Sequence, residues 1–290
     1  MNTMWLPLSL STAFLLATAD ALTKKFFGDL SAYEMGLARL FFSLPFLVGA
    51  YFFIGPASPD RTFWICIAAG LPLEAAAFFS YMKALKASPL SLSLPFLAFS
   101  PLFMIVTGRI VLGEKIGAAG CAGIALIVAG SYLLNLSQAS VGPLAPFKAV
   151  LKEPGSRYML FAAFLYSFTS VIGKKAIEHS SPLFFSAVYF TLFACIMLAL
   201  YPLFPGTRIQ NIYSRAGRGF AVGISYALMV FSHTMAISMV QAAYMISIKR
   251  LSLIFGVLYG AILFKEQKIG ERMLGACVML AGAIVITIFR

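Results

Sequence analysis

Long apolar runs, separated by short polar interruptions, fill the chain from one end to the other. Each run has roughly the 20 mostly apolar residues that a helix needs to cross the hydrocarbon core of a bilayer. The longest polar interruptions, residues 137–157 and 205–218, are too short to form a soluble domain. We therefore predict an all-α polytopic membrane protein with ten transmembrane helices, at about residues 5–24, 32–54, 63–85, 90–112, 117–136, 158–177, 182–204, 219–239, 242–264 and 270–289.

The composition supports a membrane protein and argues against a soluble one. Apolar residues make up 61% of the 290 positions and charged residues 11%, whereas soluble domains have roughly 45–50% and 25%. The mean hydropathy is +0.91. The net charge of +12 would suggest nucleic-acid binding in a soluble protein. Here many cations lie between apolar runs, where anionic lipid head groups attract them. We expect the lipid bilayer, and not nucleic acid, as the partner of these charges.

The sequence also repeats itself weakly after about half its length. A shift of 152 positions aligns residues 100–130 with 252–282 without a gap, and a shift of 150 aligns parts of the first and sixth spans. Apolar residues often match by chance in a sequence this apolar, so matches between polar residues or glycines are the stronger evidence for a repeat. They pair Gly108 with Gly260, Glu114 with Glu266, Gly123 with Gly275, Ala129-Gly130 with Ala281-Gly282, and Lys24-Lys25 with Lys174-Lys175.

The repeat predicts two five-helix units, residues 1–137 and 158–290, joined by a connecting loop at 138–157. Because five is odd, the second unit must start from the opposite side of the membrane. The two units are then inverted repeats, related by a pseudo-two-fold axis in the membrane plane. Secondary transporters are typically built in this way, with the substrate site near the midplane between the repeats.

Two segments, LFMIVTGRIVLGEK and LIFGVLYGAILFKEQ, each run into a Glu and precede a glycine-spaced helix that closes in Ala-Gly. With the two five-span units, this pattern resembles the drug/metabolite transporter superfamily, in its EamA-type ten-helix branch. The resemblance implies a transporter of a small metabolite in the bacterial inner membrane. Relatives often have Pro near the middle of the fourth helix of each unit. Pro101 fits this pattern, but Ser252-Leu253 replaces it in the second unit, which leaves open how the ninth helix bends.

Ionisable side chains inside the spans are the candidates for function. Each costs roughly 2.5–3.5 kcal/mol on insertion scales, so such residues usually face the protein interior and have partners. Charges nearer the interfaces can extend their head groups to water and need no special role. The candidates within spans are Asp20, Arg39, Glu74, His233, Lys249 and Arg250.

The ninth span carries two adjacent cations. At 100° per residue in a continuous helix, Lys249 shares a small, polar face with Ser252 and Gly256, whereas Leu251 lies on the opposite face and suits lipid. Arg250 lies at the edge of the polar face. We therefore predict that Lys249 and Ser252 face the transport pathway, with Arg250 supporting or joining Lys249.

Glu74 lies mid-span in GLPLEAAAFFSYMKAL and shares a helix face with Tyr81. Two hypotheses stay open for it. Glu74 pairs with Lys249 or Arg250 across the repeats, or the cations bind an anionic group of the substrate while Glu74 binds an amine or a coupling proton.

Structural roles are the simpler explanation for the other ionisable residues within the spans. A lone histidine such as His233 is more often hydrogen-bonded structure than a proton relay, although it joins Arg39 among the candidate pathway residues. Asp20 can pair with Lys24 one turn along the same face. By analogy with small multidrug-resistance relatives, Asp20 could instead couple transport to protons, but its counterpart in the second unit is Ser170.

The leading hypothesis is a carrier that moves a small organic solute, such as an amino acid or another carboxylate, by alternating access. The alternatives are an intramembrane enzyme or a channel-like pore. No HExxH, GxSxG or Walker-type motif is present, and no charged ring suggests a pore. The four cysteines form no CxxC pair and the chain has two histidines, so we predict neither a metal nor a cofactor. The sequence does not distinguish a monomer from a homodimer.

The positions of Lys and Arg give an orientation that disagrees with the resemblance. Thirteen of them follow the odd-numbered spans and six lie on the opposite side. Because Lys and Arg are enriched in cytoplasmic loops, this count places both termini outside. The ten-helix relatives keep both termini in the cytoplasm. The orientation stays open, as do the direction of transport and the coupling ion.

Overall fold

The computed structural model describes residues 4–54, 58–88, 90–133, 153–265 and 269–289. All regular secondary structure in these ranges is helical. Two short 3₁₀ segments, Leu94–Phe99 and Tyr201–Leu203, accompany the α-helices. The α-helices are α1 Trp5–Phe27, α2 Ala32–Tyr51, α3 Arg61–Ala87, α4 Leu90–Ser93, α5 Ser100–Leu112, α6 Ala118–Leu133, α7 Pro154–Glu178, α8 Pro182–Ala199, α9 Ile209–Tyr213, α10 Ala216–Ser238, α11 Ala242–Lys249, α12 Ser252–Phe264 and α13 Ile269–Phe289.

The prediction of an all-helical membrane protein is confirmed. In the described ranges, seven segments are long and apolar enough to cross a membrane: Trp5–Phe27, Arg61–Ala87, Leu94–Leu112, Pro154–Glu178, Pro182–Ala199, Ala216–Ser238 and Ala242–Phe264. Two further apolar helices, Ala118–Leu133 and Leu274–Phe289, are shorter than a full crossing. The count of ten crossings therefore stays a prediction.

Polar side chains cap several helix starts and set their boundaries. Ser31 and Glu34 form a capping box at the start of α2. Glu153 accepts hydrogen bonds from the backbone N–H groups of Gly155 (3.0 Å) and Ser156 (2.5 Å). Because of this cap, α7 begins at residue 154, ahead of the predicted 158. The predicted loop at 205–218 also contains α9 and the first turn of α10.

The fourth helical segment of each half is interrupted, and both segments restart at equivalent positions. In the first half a 3₁₀ segment precedes α5, which begins at Ser100. In the second half α11 ends at Lys249 and α12 begins at Ser252, the residue that aligns with Ser100. The 3₁₀-type hydrogen bond from Leu251 N–H to the Ile248 carbonyl (3.0 Å) marks this break. The ninth segment is therefore interrupted without a proline.

The break also corrects the predicted faces of the ninth segment. Leu251, expected to face lipid, is buried, because the 100° step does not continue across the interruption. Leu258 and Ile262, on the same predicted face, are 46% and 73% exposed. Cys195 and Cys277, which lie in predicted spans, are exposed, and all four cysteines are free thiols.

The two halves pack against each other in a reciprocal pattern. The first helix of the second half, α7, packs along α3, the third helix of the first half. Conversely, α1 packs along α10, which is the third long helix of the second half. The fourth segments follow the same rule, since α5 contacts α7 and α12 contacts α1. The buried space between the halves lies among these helices.

The last helices of the two halves, α6 and α13, meet through glycines. A Cβ atom on Gly123 would lie 2.9 Å from the carbonyl oxygen of Gly282, and one on Gly130 would lie 2.7 Å from that of Gly275. Only a residue without a Cβ allows the two backbones to come so close. These glycines therefore form the close contact between α6 and α13.

Candidate functional site

A cavity lies between the two halves of the protein. Helices from both halves contribute its walls. Six of the residues singled out from the sequence line this cavity: Arg39, Glu74, Tyr81, His233, Lys249 and Arg250.

Glu74 and Lys249 bring opposite charges to the same cavity from different halves. Glu74 lies in the middle of α3, and Lys249 is the last residue of α11. Within the described ranges no ion pair joins Glu74 to Lys249 or Arg250, so the hypothesis of a structural pair is wrong for this conformation. The hydroxyl of Thr169 donates to the Glu74 carboxylate, and Lys249 acts on it only through longer-range attraction.

The Lys249 ammonium lies where the helix stops. The described residues offer it no hydrogen bond or ion pair, and its electrostatic neighbours are Glu74, Asp20 and the adjacent Arg250. Lys249 is half-buried, and an ammonium shielded from water without a direct partner is costly. Lys249 is therefore placed to meet an anionic group that enters the cavity.

Arg250 has a different and more constrained position. Its Nε and Nη2 atoms donate to Ser100 Oγ at 3.1 and 2.5 Å. Ser100 begins α5, so this side chain joins the interruption in one half to the interruption in the other. Ser252, which was expected on the pathway with Lys249, is buried but does not line the cavity, because the helix is interrupted between these two residues.

Asp20 belongs to a buried network beside the cavity. Its Oδ1 atom lies 2.9 Å from Arg39 Nη2, and its other oxygen accepts a hydrogen bond from Tyr81. Arg39 also donates from Nε and Nη2 to Thr23 Oγ1 at 3.1 and 3.0 Å. The predicted pairing of Asp20 with Lys24 is wrong: Lys24 donates to the carbonyl oxygens at the end of α3. Arg39 and Tyr81 line the cavity, whereas Asp20 lies behind them.

His233 faces the cavity from α10. Its Nδ1 atom is buried and has no hydrogen-bond partner among the described residues. The expectation of a hydrogen-bonded structural histidine is therefore not met for this nitrogen.

The second half also supplies an aromatic wall that sequence reasoning missed. With 28 Phe and 12 Tyr in the chain, no pattern of aromatic positions distinguished the cavity from the rest of the core. Thr169 lies one helical turn from Tyr166, so a polar face of α7 was the one available indication. The cavity residues in this wall are Tyr166, Phe185, Tyr189, Phe190 and Tyr226.

The chemistry of the cavity suits an organic solute. In the described part of the chain, no group of three or more His, Cys, Asp or Glu side chains gathers as a metal site. One carboxylate, the ammonium groups of Lys174 and Lys249, two guanidinium groups and several aromatic rings surround the space instead. Such a set can bind charged groups at two ends and an apolar group between them.

Comparisons with known proteins agree with the fold. Residues 3–136 and 154–288 each match the EamA-like transporter family. No curated protein matches the chain. Among solved structures 29 chains match. One of them, described as a crystal structure of a protein, has 17% sequence identity to this chain, and the match covers 100% of both chains with a TM-score of 0.72. At that identity the likeness shows a shared fold only.

Proposed function

Because the chain belongs to the EamA-like transporter family, whose members are membrane transporters with two repeats, we propose that it is a secondary carrier. It moves a small organic solute across the membrane by alternating access of one central cavity. Family membership favours transport over an intramembrane enzyme.

The observation that carries the proposal is the unpaired placement of Glu74 and Lys249 in one buried cavity. Among the residues that the structure describes, neither charge has an opposite charge in direct contact, and both are partly or fully shielded from water. A zwitterion satisfies both at once, with its ammonium at Glu74 and Thr169 and its carboxylate at Lys249. We therefore propose an amino acid or a related zwitterion as the solute.

The aromatic wall indicates what the solute carries between its charges. Rings from Tyr166, Tyr189 and Tyr226 offer large apolar surface with hydroxyl groups at the edge. An apolar or aromatic side chain would be removed from water against this wall. The expected solute is thus an α-amino acid with an apolar side chain.

Ten crossings and inverted repeats are part of the proposal. The reciprocal packing of α1 on α10 and of α3 on α7 supports a two-fold relation between the halves. The common restart at Ser100 and Ser252 supports it as well. We retain residues 1–137 and 158–290 as the two halves that move against each other. The bacterial inner membrane is proposed as the location, on the resemblance alone.

Proton coupling, if transport uses it, is assigned to Glu74 and not to Asp20. Glu74 lines the cavity and can exchange its proton for the ammonium of the solute. Asp20 is held by Arg39 and Tyr81, so its carboxylate already has partners.

Uptake into proteoliposomes tests the proposal. Purified protein is reconstituted, and uptake of labelled amino acids is measured against protein-free vesicles, with and without a pH gradient. A carrier gives saturable uptake that unlabelled solute on the far side accelerates. A channel gives flux that rises linearly with concentration, and an enzyme gives a chemically altered solute. Accumulation driven by the pH gradient, lost in Glu74→Gln, shows coupling at that residue.

A further inference from the structure

Two partly exposed ion pairs join the two halves. His179 Nδ1 lies 2.7 Å from Asp60 Oδ2. Arg215 holds Asp29 with two contacts, Nη1 to Oδ1 at 2.6 Å and Nη2 to Oδ2 at 2.7 Å. Asp29 and Asp60 belong to the first half, and His179 and Arg215 to the second. Each pair therefore crosses the interface that must separate when the cavity opens.

The two pairs lie at opposite ends of the helix bundle. Asp60 precedes α3, whose 27 residues span about 40 Å at 1.5 Å per residue. At the far end of α3, Lys24 from the last turn of α1 donates to the Ser88 carbonyl at 2.5 Å. Asp29 follows α1 directly. The end with Asp60 and His179 is called the His179 mouth, and the end with Asp29 and Arg215 the Arg215 mouth.

The two pairs occupy equivalent positions in the two halves. Asp60 is the N-cap residue of α3, and Arg215 is the N-cap residue of α10. Asp29 and His179 both follow the first helix of their half, and a shift of 150 positions superposes them. An ion pair therefore joins equivalent positions at both mouths, with a histidine as the cation at one mouth and an arginine at the other. Arginine stays charged at all working pH values, whereas histidine changes charge between about pH 5 and 8.

We infer that His179 and Asp60 form a pH-responsive clasp that favours closure of the His179 mouth in acid, while Arg215 and Asp29 close the other mouth independently of pH. The inference rests on the alternating access proposed above. An imidazolium adds charge attraction to its hydrogen bond with the carboxylate, and a neutral imidazole retains the hydrogen bond alone. The clasp is thus stronger with an imidazolium than with a neutral imidazole, so it favours closure in acid.

Asp60 keeps its charge over this range. The backbone N–H of Phe63, and after it His179, lower the pKa of the Asp60 carboxyl below its ordinary value. Glu178 and Lys175 flank His179 on α7, and Arg61 adjoins Asp60. A surface depression lies beside the pair at this mouth. The segment after α2 contributes Phe53, Ile54 and Ser58 to it, and α10 contributes Met235. None of these side chains titrates.

The expected effect is modest because both side chains are accessible to water, 36% for His179 and 51% for Asp60. Exposed ion pairs change an equilibrium by about two- to fivefold. A bias of this size alters how often the His179 mouth is open without fixing the carrier in one conformation.

Distances between spin labels across the His179 mouth test the clasp. Cys66, Cys121, Cys195 and Cys277 are replaced by Ser, and labels are attached to Ser58→Cys and Leu183→Cys. Both positions border the depression at this mouth, one in each half. Electron paramagnetic resonance then measures the distance distribution at pH 5.5 and 8.0 in reconstituted protein.

We expect the population with the longer distance to rise about two- to fivefold from pH 5.5 to 8.0. His179→Arg should abolish the pH dependence and retain the short distance. His179→Gln should also abolish it, but with the longer distance populated at both pH values. A pH-independent distribution in the parent protein, or an unchanged pH response in His179→Gln, overturns the clasp. If the distances contradict the clasp but the parent protein still shows saturable uptake, the clasp alone is wrong. If the parent protein shows no saturable uptake, the proposed carrier function is wrong.

Discussion

Arg250 donates two hydrogen bonds to Ser100 and so joins the interrupted fourth segments of the two halves. The residue aligned with Ser100 in the second half is Ser252, which begins the equivalent helix. A 3₁₀ turn inside a longer helix often marks a hinge. The contact therefore links two candidate hinges beside the cavity, and it occupies the Nε and Nη2 atoms of Arg250.

Replacing Ser100 with Ala should uncouple the two interruptions. The change removes the acceptor of two hydrogen bonds from a buried guanidinium, and hydrogen bonds to charged groups contribute about 1.5–3 kcal/mol. We expect a lower thermal unfolding temperature in detergent and a several-fold lower rate of solute uptake. Ser247→Ala is the matched control, because among the described residues the hydroxyl of that buried serine donates within its own helix, to the Ala243 carbonyl. Equal behaviour of the two variants would contradict the role of Ser100.

Breaking the Asp20–Arg39 pair should destabilise the protein strongly. Removing one partner of a buried ion pair leaves an uncompensated charge and costs about 3–5 kcal/mol. Asp20→Asn and Arg39→Gln should each lower the unfolding temperature markedly, and the double variant should lose less than the sum of the two. Arg61→Gln, on an exposed side chain, serves as the control. Additive losses in this double-mutant cycle would show that the pair does not act as a unit.

Enlarging Gly123 should separate α6 from α13. A Cβ at this position would lie 2.6 Å from Ile286 Cγ1 and 2.9 Å from the Gly282 carbonyl oxygen, so Gly123→Val forces the helices apart. Overpacking of this kind costs about 1–3 kcal/mol. The yield of folded protein and its unfolding temperature in detergent measure the effect. Gly49→Ala, with no atom within 4 Å of the added carbon, should leave both unchanged or slightly improved.

Much of the fold was predictable because length and hydropathy determine membrane helices. The glycine-spaced helix that closes each unit was recognisable, and α6 and α13 meet through these glycines. The interruption after Lys249 was not predictable, since no proline or glycine marks residues 249–252 and tertiary contacts such as Arg250 with Ser100 hold it. For the same reason the burial of Leu251 was missed.

The candidate site was predictable only in part. The cost of intramembrane charge singled out Glu74 and Lys249, and both line the cavity. Their partners could not be read from the chain: Asp20 meets Arg39 from the next helix, and Lys24, one turn away, does not bind it. Local spacing describes neighbours on one helix, whereas these contacts depend on how separate helices pack.

The central claim is that Glu74 binds the ammonium and Lys249 the carboxylate of a zwitterionic solute. The most direct test measures uptake of phenylalanine, phenethylamine and phenylpropionate by parent, Glu74→Gln and Lys249→Gln proteoliposomes with equal amounts of inserted protein. Loss of one charged hydrogen bond should lower uptake by roughly 10- to 100-fold. Glu74→Gln should therefore reduce uptake of phenylalanine and phenethylamine and spare phenylpropionate, while Lys249→Gln should reduce uptake of phenylalanine and phenylpropionate and spare phenethylamine. Phenylalanine uptake at the parental rate in both variants, or equal losses for all three solutes, would contradict the assignment.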